Sequence, residues 1–544
     1  MSKQLPARPS LEQYRKQAKD LLDAHRAADP SALERIHRHH PTLHKLPIAQ
    51  LPTAPFTLTD AQLILAREHS FESWPKFAAH ITTLTLIRNV ADLTDPVTAF
   101  IEVACVPRHD GHASGTLEHA QLILQRYPHV ATADIHTSAI LADEPTVRAW
   151  VSRDPSLATA KGGAHGWDAL THLCFSRYLR LDQQRSEAFL HTAQTLIAAG
   201  ASARTGWYEM IDHPNPRPTF ESAIYGAAAI ARHPGLTQLL LDNGADPNDE
   251  ETPYHVPEGY DNTVLRILLN SGKLSPESLN TILLRKCDWH DEHGIALALE
   301  HGANPNQITR WGFTALHQSL RRDNGLIIIE LLLNHGADPT IPTRDGISAI
   351  QIAAHRGRKD ALDLFQQRNV ALPQLLSPLD QLITACAQNN EAIILTLTQT
   401  HPNLTNELLA QGGTLLAQFA GNNNAKGLAR LLDLGVSPAS LYIHGDGYFN
   451  IPRNSTALHV AAWRAQPAAV QLLIDSGAPI NVLDGNGHTA LQRAILAATD
   501  SYWKYRRTTE SIEALLKAGA STTGIEPPTG YPEADALLIQ HNTA

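Results

Sequence analysis

Apolar residues recur at three- and four-residue intervals in short runs along most of the 544-residue chain. Leu11, Tyr14, Ala18, Leu21, Leu22 and His25 set the first such stripe, which predicts an amphipathic helix over residues 11–28. Ser31, with Glu34 three residues later, predicts the capping box of a second short helix. A proline-rich link from Pro41 to Pro55 follows, then a helical stretch from Asp60 to His69 and the segment Phe71–His80. The pattern is most regular in Asn454–Asn481, which reads as turn, short helix, tight junction, second helix and a Gly477-Ala478 stop. Glycine ends a helix there because it enters the left-handed conformation without steric penalty.

Weaker copies of that unit extend from about Asp95. Gly302 and Gly336 lie 34 residues apart, and steps of 33 from Gly336 reach Asn369, Pro402 and Gly435. Further stops fall at Gly200, Gly244, Gly272, Gly477 and Gly519, with two degenerate units expected to end near Tyr127 and Asp154. The first helix of a unit begins at Asp168-Ala169-Leu170-Thr171, Ser222-Ala223-Ile224-Tyr225, Thr252-Pro253-Tyr254-His255, Thr314-Ala315-Leu316-His317 and Thr489-Ala490-Leu491-Gln492. A period near 33 gives about twelve units. One unit cannot bury its apolar face alone, so the copies must stack.

Ser455–His459 (STALH) lies close to the T-P-L-H pattern of ankyrin repeats, and the Gly-Ala stops fill the same family's slot. The chain resembles a bacterial ankyrin-repeat protein. The fold implied is all-α: residues 1–94 form a helical cap, 95–525 the ankyrin solenoid with short finger turns, and 526–544 a tail or second cap. A cap suits either end because a terminal repeat exposes an apolar face. Aligned on the family pattern, Cys105, Cys174, Cys287 and Cys386 fall where small residues let neighbouring helices approach, so they are expected to be core. His317 and His459 take the histidine slot, which implies a bond to the backbone of an adjacent turn.

Composition narrows the function classes. The 43% apolar and 18% charged content is that of a folded globular chain. A formal charge of −10, with no long basic run, argues against nucleic acid. The N-terminus lacks an apolar signal core, and no stretch approaches the ~20 apolar residues of a membrane span. A cytoplasmic monomer with no membrane partner is expected. The sequence has no phosphate-binding glycine loop, nucleophile elbow or paired zinc-ligand motif, so no cofactor is expected. The run His37–His40 is better placed as positive charge at a helix end than as a metal tract. Asp484-Gly485-Asn486-Gly487 suits a finger turn better than a calcium loop.

What remains is surface. In ankyrin arrays the two residues after the small pair on the first helix face solvent on the concave side, as do the finger tips. Those positions hold Phe175 and Ser176, Asp288 and Trp289, Arg321 and Arg322, His355 and Arg356, and Trp463 and Arg464, with Tyr260 near the equivalent place. Finger tips add Trp167, Trp311 and Phe313, and an insertion adds Trp207 and Tyr208. Five of the eight tryptophans lie at such places, where an idle surface would carry Lys, Glu or Ser. Tryptophan, tyrosine and arginine dominate binding hot spots. The competing explanation is that these rings pack between fingers and complete the scaffold.

The stretch from Trp207 to Trp311 is the densest. It carries Asp212 and His213 on the insertion Gly206–Pro218, then Glu250, Glu251, Tyr254, His255 and Glu258, then Asp288 through His293. The expected function is non-enzymatic recognition of a protein partner through the concave groove. The alternative is a small-molecule or sugar-binding protein, or an enzyme, built on this polar-aromatic cluster. Acid–base work there would fall to Asp288, His290, Asp291 and Glu221. A metal would need a third ligand beside His290 and His293 that the sequence does not fix, so none is expected. The discriminating observation is whether a deep pocket or an open groove lies at Asp288 and Trp289.

Overall fold

A computed structural model describes residues 3–6, 8–211, 216–370 and 376–543. It divides into two compact units, Met1–Asp249 and Glu250–Ala544. Helices paired by tight turns make up both.

The first unit opens with the helices Leu11–Arg26, Pro30–His39, Leu58–Glu68 and Trp74–Ala91. The first of these buries Tyr14, Ala18, Leu21 and His25, one face of the predicted stripe. The second is capped by Asp29, whose side chain accepts the Ala32 N–H, and not by Ser31, which donates its own hydroxyl to Asp29. Pro30 explains the shift: lacking an N–H and fixed in φ, it belongs in the first helical turn and moves the cap upstream. His40 closes the end of this helix, its Nδ1 accepting the Leu43 N–H at 3.0 Å. Glu68 is buried between Arg35 and Lys3, both at 2.7 Å. Burial would raise its carboxyl, but the two cations outweigh burial and hold it below its ordinary value.

Helix pairs follow, and the degenerate units end where the pattern placed them: Glu118–Arg126 is capped by Tyr127 and Glu144–Arg153 by Asp154. The predicted insertion is a hairpin of β1 (Gly206–Ile211) and β2 (Arg217–Ser222), with Trp207 opposite Glu221 and Tyr208 opposite Phe220. Gly206 is required there, since a Cβ would come within 2.3 Å of the Glu221 carbonyl oxygen. Asp212 and His213 lie outside the described residues.

The second unit stacks helix pairs from Glu251–His255 to Glu510–Lys517 and ends in the helix Pro532–Thr543. The stops at Gly272, Gly302, Gly336, Asn369, Gly435, Gly477 and Gly519 all have positive φ, as the helix-ending role demands. A second left-handed position recurs between the helices of a pair, at His290, Asp323, Gly357, Asn389, Asn423 and Ala465. Asn389 is itself the C-cap of its first helix, and the other five follow the C-cap residue; each turns the chain into the second helix. The four cysteines are buried. Burial pushes the Cys287 and Cys386 thiols up to about 12, so they remain protonated packing groups. His459 bonds the carbonyls of Val482 and His488, both at 3.1 Å, tying its helix to the neighbouring finger.

In the second unit two segments exceed the period. Gly435 to Gly477 and Gly477 to Gly519 are each 42 residues. The surplus of the first forms a long finger over residues 436–454; that of the second forms the short helix Tyr502–Arg506. Both surpluses shape the site.

Candidate functional site

The site of the second unit is built where the first helices of successive pairs end. Helix Pro276–Asp288 is capped by Trp289, and His290 then turns the chain with φ 53°. Asp291 starts the next helix, accepting the Gly294 N–H at 3.1 Å. The same carboxylate pairs with buried Lys286 at 2.7 Å and accepts from Asn262 at 2.8 Å. Burial would raise its pKa, but Lys286 and Asn262 lower it. Asp291 is committed to holding this turn.

Asp288 is the hub of a charged layer. Its carboxylate accepts from Arg285 Nη1 and Arg322 Nε, both at 2.6 Å, and from Gln318 Nε2 at 2.5 Å. Arg285 also reaches Glu258 at 2.9 Å and lies 4.1 Å from the Tyr254 ring centroid. A parallel layer forms around Asp323, whose side chain is 2% exposed and accepts two bonds from Arg356 at 2.6 and 2.7 Å and one from Arg464 at 2.7 Å. Arg322, Arg356 and Arg464 each occupy the C-cap of a first helix, where the helix dipole favours a cation. Burial would raise the Asp323 carboxyl; Arg356 and Arg464 outweigh it and hold the group well below the ordinary carboxylate range.

The long finger crosses this layer. The Tyr448 hydroxyl donates to the Asp288 carbonyl oxygen at 2.5 Å and lies 3.2 Å from His290 Nε2. Arg322 sits over the Tyr448 ring at 3.8 Å. Phe449 packs with Tyr442, Trp463 and Trp503 in one apolar cluster, and the Trp463 indole N–H donates to the Phe449 carbonyl at 2.6 Å. Arg464 lies over both Phe449 and Trp503. Together these groups close a cavity of about 530 Å³, bordered by Tyr260, Trp289, His290, Tyr448, Trp463 and Tyr502. Tyr260 meets Trp289 edge to face at 6.4 Å. Burial, together with the neighbouring phenols of Tyr260 and Tyr505, pushes Tyr502 up to about 12. Burial lowers the His290 imidazole to about 4, so it is neutral near pH 7.

Several surface assignments are corrected. Trp463 and Arg464, expected to face solvent, are 8% and 3% exposed and belong to the core just described. Phe175, Ser176 and Trp167 in the first unit are buried as well. Trp167 stacks on Trp207 at 3.9 Å, and Phe175 meets the edge of Trp207 at 4.3 Å. For Trp167, Phe175 and Trp463 the reason is an inserted segment packed over them, whereas Ser176 donates to the Ile140 carbonyl at 2.7 Å and Arg464 pairs with Asp323. The repeat pattern fixes where a side chain leaves the helix, but an inserted finger decides whether water reaches it. Tyr208 is 72% exposed and Tyr260 59%. Trp311 carries the Arg310 guanidinium at 4.5 Å, and Arg321 lies over Phe313 at 3.9 Å.

The other acid–base candidate, Glu221, is buried in the first unit beside Arg108 Nη1 at 3.3 Å. Next to it, Glu209 accepts the backbone N–H groups of Arg108 and His109 and lies 2.5 Å from His109 Nδ1. The Glu209 bond raises the His109 pKa. Among the described residues no group of three or more His, Cys, Asp or Glu could hold a metal ion, and no helix is long and apolar enough to cross a membrane.

Sequence reasoning placed Asp288, Trp289 and Tyr260 at the site but missed Tyr448 and Phe449. The 42-residue interval was their one signal.

Family models match two stretches: "Ankyrin repeats (many copies)" over residues 299–353 and "Ankyrin repeat" over 453–485. The chain carries ankyrin repeats. Its fold is an all-α ankyrin-repeat solenoid. Among solved structures, the human ASB11 ankyrin repeat domain is 20% identical, covering 55% of this chain and 99% of that one with a TM-score of 0.20. The ankyrin repeat domain of Bcl-3 is 19% identical, covering 43% and 96% with a TM-score of 0.19. No curated protein matches the sequence. The ankyrin pattern also accounts for the cysteines, since Cys287 and Cys386 lie inside first helices at the slots for small residues.

Proposed function

We propose that this ankyrin-repeat protein is a non-enzymatic recognition scaffold of the bacterial type, acting as a cytoplasmic monomer. Its second unit engages a protein partner through the groove, with the aromatic cavity at Trp289 as the anchor point. The observation that carries the reading is the contrast within one layer. Asp288, Arg285, Arg322, Asp323 and Arg464 spend their charge on one another, while the rings of Tyr260, Trp289 and Tyr502 border an open cavity. A charge layer held this way fixes the rings in place before binding, which reduces the ordering cost of association. Exposed aromatics around a pocket are the usual anchors of such interfaces.

The test is a photo-crosslinking amino acid at position 260 in the native host. One protein should be crosslinked by the parent chain and lost in Trp289→Ala, with the melting temperature unchanged. Crosslinks that survive Trp289→Ala would defeat the reading. Trp463→Ala serves as the contrast: it empties the core under the finger and should cost about 3–5 kcal/mol of stability.

A second reading, a small-molecule receptor, is favoured by one observation: about 530 Å³ lies within the range of ligand cavities. Native mass spectrometry of the protein from its host would then show a bound mass that Trp289→Ala loses.

A further inference from the structure

The polar atoms bordering the cavity of the second unit constrain what can enter it. Tyr448 has one hydroxyl proton, and the Asp288 carbonyl at 2.5 Å can only accept, so that proton is spent there. His290 Nε2, 3.2 Å from the same hydroxyl oxygen, must therefore carry the imidazole proton and donate it to Tyr448. The neutral ring then has its lone pair on Nδ1. Among the described residues Nδ1 meets no donor, and His290 borders the cavity. A residue of the lining thus keeps an acceptor atom, beside the rings of Trp289 and Tyr502.

Charge adds a second constraint. Of the charged groups on the lining, Arg285 and Arg322 are paired with Asp288, and Asp500 stands at an exposed position. No unpaired cation is there to hold a carboxylate or phosphate. Other rings of this region already carry guanidinium groups: Tyr448 has Arg322, and Phe449 and Trp503 have Arg464. Trp289, Tyr260 and Tyr502 have none among the described residues. A neutral planar ring that bears a donor fits this lining. Indole is that group: its N–H donates, it accepts nothing, and its area suits stacking against tryptophan and tyrosine. A free amino acid would bring a carboxylate without a partner, whereas a residue within a polypeptide brings neutral amides.

We propose that the cavity takes the indole side chain of a tryptophan presented by the protein partner, with its N–H donated to His290 Nδ1. This rests on the recognition reading and names the feature recognised.

The experiment is calorimetric titration of the full chain with N-acetyl-L-tryptophanamide and with its 1-methylindole analogue, which cannot donate. Saturable binding of the first is expected, with the methylated probe weaker by roughly tenfold. Trp289→Ala should abolish binding. His290→Asn, a residue that tolerates the left-handed conformation, should bring the two probes to equal affinity. Should Trp289→Ala melt early, Tyr502→Ala takes its place, because that ring is exposed. Equal affinity of the two probes for the native chain, binding that survives removal of the wall, or no saturable binding would overturn the proposal. A Trp289-dependent crosslinked partner without probe discrimination would sink the indole assignment and leave the recognition reading standing. Discrimination without any partner would do the reverse.

Discussion

Asp323 carries a full negative charge in a place water does not reach, held by guanidinium groups from Arg356 and from Arg464, 141 positions along the chain. Burying such ions is costly, and removing one partner strands the others. Asp323→Ala should therefore destabilise the second unit by about 3–5 kcal/mol in denaturant unfolding. Asp323→Asn should cost less, because the amide can still accept. The acid limb has a definite sign. A carboxyl held below its unfolded value contributes stability above the unfolded pKa, about 3.9, and loses it as pH falls towards the folded value. Unfolding free energy measured from pH 5 downward should fall in the native chain, with a shallower slope in Asp323→Asn. At this scale the sequence was legible where one helix decides the outcome. The cysteines match the small-residue slots because those are set by helix contact alone. Arg464 was misread because its partner comes from another repeat, and spacing along one helix cannot announce that.

The finger over residues 436–454 is the element that turns a row of helix ends into a cavity. It is anchored near its tip by Tyr448, through the bond to the Asp288 carbonyl and the Arg322 face, and by the adjacent Phe449, whose carbonyl accepts from Trp463; its base is held by the pairing of Leu441 and Tyr442 with Thr456 and Ser455. Tyr448→Ala removes the tip anchor and leaves the base intact. The finger should then open locally without global unfolding, since local openings draw on few buried contacts. Tryptic cleavage at Arg453, an exposed residue of the same finger, should accelerate several-fold while the melting temperature shifts by no more than a few degrees. An unchanged cleavage rate would mean that the base alone holds the finger. The helices themselves were readable from period and stop: Asn369 ends its helix with φ 54°, as a step of 33 from Gly336 requires. The finger's existence was readable as a 42-residue interval, but its path depended on long-range aromatic and arginine contacts that no local pattern encodes. Ser31 shows the smaller version of the same limit, where two adjacent capping residues competed and Pro30 decided between them.

At the scale of the molecule, helix-ending stops continue on both sides of residue 249, at Gly244 and Gly272, because they report local helix pairs and say nothing of where packing is dense. The division at Asp249 and Glu250 gives each unit its own set of stacked repeats. In repeat proteins, stability is close to a sum of repeat terms and nearest-neighbour interfaces, so a fragment that keeps its internal interfaces keeps most of its stability. Residues 250–544 contain the Asp288 and Asp323 layers, the finger and every side chain that borders the cavity, from Tyr260 to Trp503. Expressed alone, that fragment should be helical by circular dichroism and melt cooperatively. It should also bind N-acetyl-L-tryptophanamide within about threefold of the full chain. A fragment that is unfolded alone but folds when residues 1–249 are added would make the two units one thermodynamic body. A fragment that folds without binding would place part of the recognition chemistry outside the cavity, and only the first of these three outcomes is consistent with a site carried entirely by the second unit.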